Sequence, residues 1–352
     1  MEVCKLVDAS KKVFLDCSLA NGAIVAANSD NPNYPKDVQD YRYVWPRDAG
    51  FVCVAANALG LRQIQEPFFY WIMERAEEFS QSGLLYQNYY VNGPKRWLSY
   101  QPDQAGTLIW AVHDFCKDDK GLQQKYANLV VKLADGICNV WNKNHFSIIT
   151  QDLWEGSYTY PEIENTHTYS LAACCHGLEL AQSICSNARW QEVAVQMRHK
   201  IGSSFHKHYC RNHGKLCDRI VDASLLGLAY PFRICKPLDK EVVDTAAMIK
   251  EKLLIRKGVM RYELDLYDSY RLSGVNARRG AGAWPILTFW LSIYHSIAGD
   301  KELARSLFEL GVKGSEGCLF PEQVFENSLQ RSIRPLAWSH AMFVLAAREL
   351  NL

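Results

Sequence analysis

Residues 121–142, GLQQKYANLVVKLADGICNVWN, place Tyr126, Leu129, Val130, Leu133, Ile137, Val140 and Trp141 at i, i+3, i+4, i+7, i+11, i+14 and i+15. That recurrence draws one apolar stripe along an α-helix. The same period returns near 48–60, 64–80, 104–117, 167–185, 189–207, 222–230, 282–298 and 336–350. Asp239 and Asp300 open two further helices as capping residues, ahead of Val242, Ala246, Ile249 and Leu253 and of Leu303, Leu307 and Leu310. With a short helix near 17–27, about twelve helices and few strands are predicted.

The connections alternate in character. Some are tight, such as Ser186-Asn187 and Gly299-Asp300, whereas 28–47, 83–103, 143–166, 259–281 and 312–335 are long and rich in Trp, Tyr, Pro, Asp and Glu. Paired helices with every second loop elaborated predict an all-α fold, a single (α/α)6 barrel whose long loops build a site at one end. No Gly/Ser/Pro-rich linker interrupts the 352 residues, so one domain over 1–352 is expected, with neither a β-sandwich nor a starch-binding module.

Composition narrows the function. The formal net charge is +1, with 48% apolar and 22% charged residues. That balance lacks the basic footprint of a nucleic-acid binder, and no polybasic run or long apolar stretch points to a membrane. The first residues carry a charge every few positions and no apolar signal core, which predicts a cytoplasmic protein whose twelve cysteines are mostly reduced thiols. His206, His208, Cys210, His213 and Cys217 supply five zinc-type ligands in twelve residues. Their spacing lacks the paired pattern of structural zinc sites, so a local loop without metal is expected.

The long loops repeat one theme, an aromatic ring beside an acid or arginine. They read Tyr41-Arg-Tyr-Val-Trp-Pro-Arg47-Asp48, Trp97-Leu-Ser-Tyr-Gln-Pro-Asp103, Asp152-Leu-Trp154-Glu155, Arg261-Tyr-Glu-Leu-Asp265 with Trp284-Pro285 beyond it, and Pro321-Glu322-Gln323. Asp48 and Asp103 also have a plainer reading as helix caps. Phosphate loops, nucleophile elbows and Cys-x-x-Cys pairs are absent from the sequence, and no cofactor is implied. Carboxylate chemistry remains. Glu155 beside Trp154 is placed to hold a proton near neutrality, and an ionised Glu322 across a cleft completes an acid/base pair for glycoside hydrolysis.

In this order the motifs resemble the glucoamylase-like glycoside hydrolases of family 15, which include trehalases and glucodextranases. The resemblance implies an (α/α)6 barrel hydrolysing short α-glucosides from the non-reducing end with inversion, Glu155 as general acid and Glu322 as general base. Arg47, Asp48 and Arg261 would grip the terminal sugar, and Trp97, Trp154 and Trp284 would wall the pocket. Tyr41 would stand near the base and its water, with Asp103, Asp152 and Gln323 also in the substrate site. Fungal members carry a second Glu after the acid and often an Arg two residues after the Trp97 position. This chain has Gly156 and Ser99 there, which favours a small oligosaccharide over raw starch. A trehalase or α-1,6-specific glucosidase is the alternative within the family. A non-catalytic carbohydrate-binding barrel is the alternative outside enzymes, and retention of both glutamates argues against it.

Overall fold

The computed structural model describes residues 3–268, 280–327 and 329–352; most of the second half of the predicted 259–281 loop lies outside them. Among the described residues twelve α-helices follow in chain order: α1 (Val3–Cys17), α2 (Pro46–Ala58), α3 (Gln65–Arg75), α4 (Phe79–Ser82), α5 (Pro102–Cys116), α6 (Lys120–Asn139), α7 (Thr168–Ile184), α8 (Ala188–Gly202), α9 (Lys240–Leu253), α10 (Pro285–Ile297), α11 (Lys301–Lys313) and α12 (Ala337–Glu349). A 3-10 helix at Ala223–Leu228 replaces the helix expected at 222–230.

These elements form an (α/α)6 barrel. Going round the inner ring, α2 packs on α5, α5 on α7, α7 on the 3-10 helix, that helix on α10, α10 on α12, and α12 on α2 again. Outside it, α1 covers α12, α6 and α8 cover α5 and α7, α9 covers the 3-10 helix, and α11 covers α10. Burial divides the two layers. Every residue of α2 from Pro46 to Ala56 is buried, as expected for a helix surrounded on all sides. By contrast α11 buries only Ala304, Leu307, Phe308 and Gly311, one stripe on an otherwise polar helix.

Close approach within the ring depends on missing side chains. A Cβ on Gly106 of α5 would stand 2.2 Å from the Ala173 carbonyl of α7, and one on Gly177 would stand 2.8 Å from Gly106 Cα. Larger residues at either position would push these inner helices apart.

The expected helix near 17–27 is absent. The helix lies upstream, where Leu6, Ser10, Val13, Phe14 and Cys17 form its buried face and the frequent charges form its outer one. Chain direction then reverses through Gly22 (φ +92°), with Ser18 bridged to Ile24.

Three of the inner helices open at one cavity. Trp45, Trp284 and Leu336, the residues preceding α2, α10 and α12, all line it. Pro46 and Pro285 occupy first-turn positions where the missing N–H costs nothing. A hairpin of β1 (Tyr86–Tyr89) and β2 (Lys95–Tyr100) forms part of the rim. No helix among the described residues is long and apolar enough to cross a membrane.

Candidate active site

The cavity, about 570 Å³, collects residues from all five long loops. Tyr41, Arg47, Asp48, Trp97, Trp154, Glu155, Arg261, Trp284 and Glu322 line it together, although they span 282 positions of sequence. Asp103, Asp152 and Gln323 lie behind the wall. Asp103 is fully buried beneath Arg47, with Oδ2 3.4 Å from Nη1. Gln323 accepts a hydrogen bond from the Gly282 amide at 2.8 Å. Neither Asp48 nor Asp103 caps its helix: Trp45 and Gln101 hold those positions, and both aspartates sit within the first turn.

Glu155 occupies a strained position. Its φ is +62°, a region that non-glycine residues seldom adopt. Asp152 builds the turn that enforces it. The Asp152 carbonyl accepts from the Glu155 amide at 3.1 Å, and its carboxylate accepts from the Gly156 and Ser157 amides at 2.9 Å each. Arg211 anchors Asp152 in turn at 2.5 Å and reaches Asp222 at 3.4 Å. Asp222 then accepts the Trp154 indole N–H at 3.0 Å, which sets that ring against the cavity.

The Glu155 carboxyl meets two donors and one cation. Trp45 Nε1 donates to Oε1 at 2.5 Å, Gln87 Nε2 donates to Oε2 at 2.6 Å, and Arg47 Nη2 stands 4.0 Å away. Burial raises the pKa of this carboxyl to about 7 against the opposing pull of Arg47 and the Trp45 hydrogen bond; Asp48 and Asp152 push it up further. An indole can only donate, so Oε1 must accept.

Arginines form the fixed positive charges. Arg47 contacts Asp48 at 3.3 Å and Gln101 at 3.1 Å, and its guanidinium lies 5.1 Å from the Trp338 ring centre. Burial alone would lower its pKa, but Asp48, Asp103 and Glu155 outweigh that and keep it charged. Asp48, buried beside it, is pushed up to about 6. Arg261 is clamped in a fork by Asp265 (2.7 and 2.8 Å) and faces Tyr267, Trp284, Tyr262 and Trp154 at 4.7–5.6 Å. Such charges are already oriented before any ligand arrives.

Glu322 is 2% exposed, on the loop between α11 and α12. The Tyr41 and Tyr267 hydroxyls bond to each other. Burial raises both phenols well above the ordinary tyrosine value, followed by the nearby charge of Glu322, and Glu155 adds to it. Tyr41 therefore senses both carboxylates.

The sequence pattern of glycosyl hydrolases family 15 matches residues 15–348. The chain belongs to that family. An uncharacterized glycosyl hydrolase of Methanocaldococcus jannaschii is 29% identical over 93% of this chain and 53% of its own length. The chain thus spans about half of that relative. Isomaltose glucohydrolase of Kribbella flavida is 24% identical, covering 88% of this chain and 85% of that one. A solved wild-type glycosidase structure superimposes with a TM-score of 0.81 at 22% identity, over 99% of this chain and 97% of that one, and confirms the fold.

Several residues of this family 15 site escaped the sequence reading. Trp45 stood within a quoted motif and Trp338 within the helix expected at 336–350, yet nothing in one dimension distinguished them from core indoles. Gln87 lies in β1 with no motif around it. Arg211 was hidden inside the 206–217 segment, where the histidines and cysteines drew attention instead. Tyr267 follows Asp265 by two residues, and only the fold brings it to Tyr41.

Proposed function

We propose that this chain is an inverting, exo-acting α-glucoside hydrolase that releases glucose from the non-reducing end of short α-glucosides. The observation carrying this reading is the pairing, in one cavity, of Glu322 with a Glu155 whose pKa is raised to about 7. Glu155 protonates the glycosidic oxygen as the bond to the anomeric carbon breaks. Glu322 takes a proton from the water that attacks the opposite face, so the configuration inverts. Arg47, Asp48 and Arg261 bind the hydroxyls of the terminal sugar, and Trp154 and Trp284 cover its apolar face. Gly156 and Ser99 leave the region beyond that sugar without the extra charges of fungal glucoamylases, which favours short substrates.

A second reading, hydrolysis of α-1,6-linked glucosides, is favoured by the near end-to-end likeness to the isomaltose glucohydrolase. Initial rates on maltose, maltotriose, isomaltose, kojibiose, nigerose and trehalose separate the linkages. Proton NMR during the first turnovers should show β-glucose before mutarotation mixes the anomers. First-formed α-glucose would make Glu322 a nucleophile and overturn inversion. Rapid loss of starch viscosity with little free glucose would overturn exo action.

A further inference from the structure

Away from the cavity, folding gathers donors that the sequence leaves scattered. Ligand atoms of His206, Cys210 and Cys217 lie within 4.8 Å of one another. The two sulfurs stand 2.8 Å apart. His213 pairs across a short hairpin with Cys217, and its ring centre is 6.1 Å from that of His206. Its Nδ1 is buried with no hydrogen-bond partner among the described residues. A pocket of about 280 Å³ opens beside His206 and Cys210.

We propose that His206, Cys210 and Cys217 bind one zinc ion, with His213, which stands outside that trio, moving in as the fourth ligand. Two thiolates and two imidazoles match the preference of zinc for tetrahedral sulfur and nitrogen donors. On zinc, with Zn–S near 2.3 Å, the sulfurs would stand about 3.8 Å apart, so binding parts them by about 1 Å. A Cys210–Cys217 disulfide is the competing use of this pair. It requires no histidine, whereas here His206 joins the two sulfurs and His213 stands beside His206 with a buried, unpartnered nitrogen. The donors do not follow a regular zinc-ligand spacing; the turn at 205–209 and the hairpin at 212–218 supply their proximity.

The position has a consequence for the active site. Arg211, which holds Asp152 and Asp222, directly follows Cys210. Zinc would pin the segment carrying that arginine, and so steady the turn bearing Glu155 from outside the pocket.

The test uses the full chain, purified under reducing conditions from zinc-supplemented culture, with metal measured by mass spectrometry. One zinc per chain is expected. Cobalt(II) exchanged into the site should show thiolate charge-transfer bands and the strong d–d absorption of a tetrahedral ion. His206 is exposed, so His206→Ala should fold normally yet lose most of the bound metal; Cys217→Ser should lose both metal and the charge-transfer bands. Zinc at background level in the wild type, unchanged zinc in both variants, or two missing thiols with a Cys210–Cys217 crosslink on peptide mapping would each overturn the proposal.

Discussion

The indole Nε1 of Trp45 lies 2.5 Å from Oε1 of Glu155, so the residue preceding α2 touches a carboxyl carried by a different loop. This contact favours the ionised carboxylate, and it is one of the forces holding the Glu155 pKa down against burial. Trp45→Phe keeps a ring and removes the donor. The acid form should then persist to higher pH, moving the basic limb of kcat/KM upward by about one pH unit, the scale of a lost charge-assisted hydrogen bond. An unmoved basic limb would detach Glu155 from the pH profile.

Replacing either carboxylate tests the assigned chemistry directly. Glu155→Gln and Glu322→Gln should each lower kcat by at least about 10²–10⁴-fold while leaving the helical circular dichroism unchanged. Wild-type turnover in either variant removes that residue from its role.

Stability should respond to pH in a defined direction. The folded pKa of Glu155 is raised from 4.5 to about 7, so the folded state holds its proton more tightly than the unfolded chain does. The corresponding stability is fully present below about pH 4.5 and is lost as pH rises through about 7. Glu155→Gln lacks this dependence. Relative to the wild type, it should gain up to about 3 kcal/mol between pH 4 and pH 8, read from urea unfolding midpoints at each pH. A constant difference across that range would place the Glu155 pKa near its ordinary value.

Arg211 is predicted to matter more than its distance from the cavity suggests. Arg211→Met leaves Asp152 and Asp222 buried without their shared cation, a loss of roughly 3–5 kcal/mol for breaking a buried pair. Released from that anchor, the turn carrying Glu155 should shift, and kcat should fall about tenfold or more even at temperatures where the variant is fully folded. Destabilisation with unchanged kcat would confine Arg211 to a purely structural role.

Much of this protein was readable in one dimension. Apolar periodicity of the kind seen at 121–142 located α6 and most other helices, because burial of one face leaves a period that chain context scarcely alters. It misplaced the first helix, where Leu6, Val13, Phe14 and Cys17 are diluted by charges on the outer face. Glu155 and Glu322 were recognisable because a Trp-Glu or Pro-Glu-Gln motif in a loop has few structural uses.

The sequence by itself determined the helix pairing, the long loops and the carboxylates and arginines they carry, since these depend on local pattern and residue type. Tertiary structure alone decided the environment of each group. Trp45 and Gln87 reach Glu155 across 110 and 68 positions, and Arg211 reaches Asp152 across 59. Only after these segments are packed is the side chain of Glu155 drawn partly out of water, and desolvation together with the charges around it raises the pKa. The same holds for His206, Cys210 and Cys217: their distances are fixed by a turn and a hairpin whose geometry no spacing rule encodes.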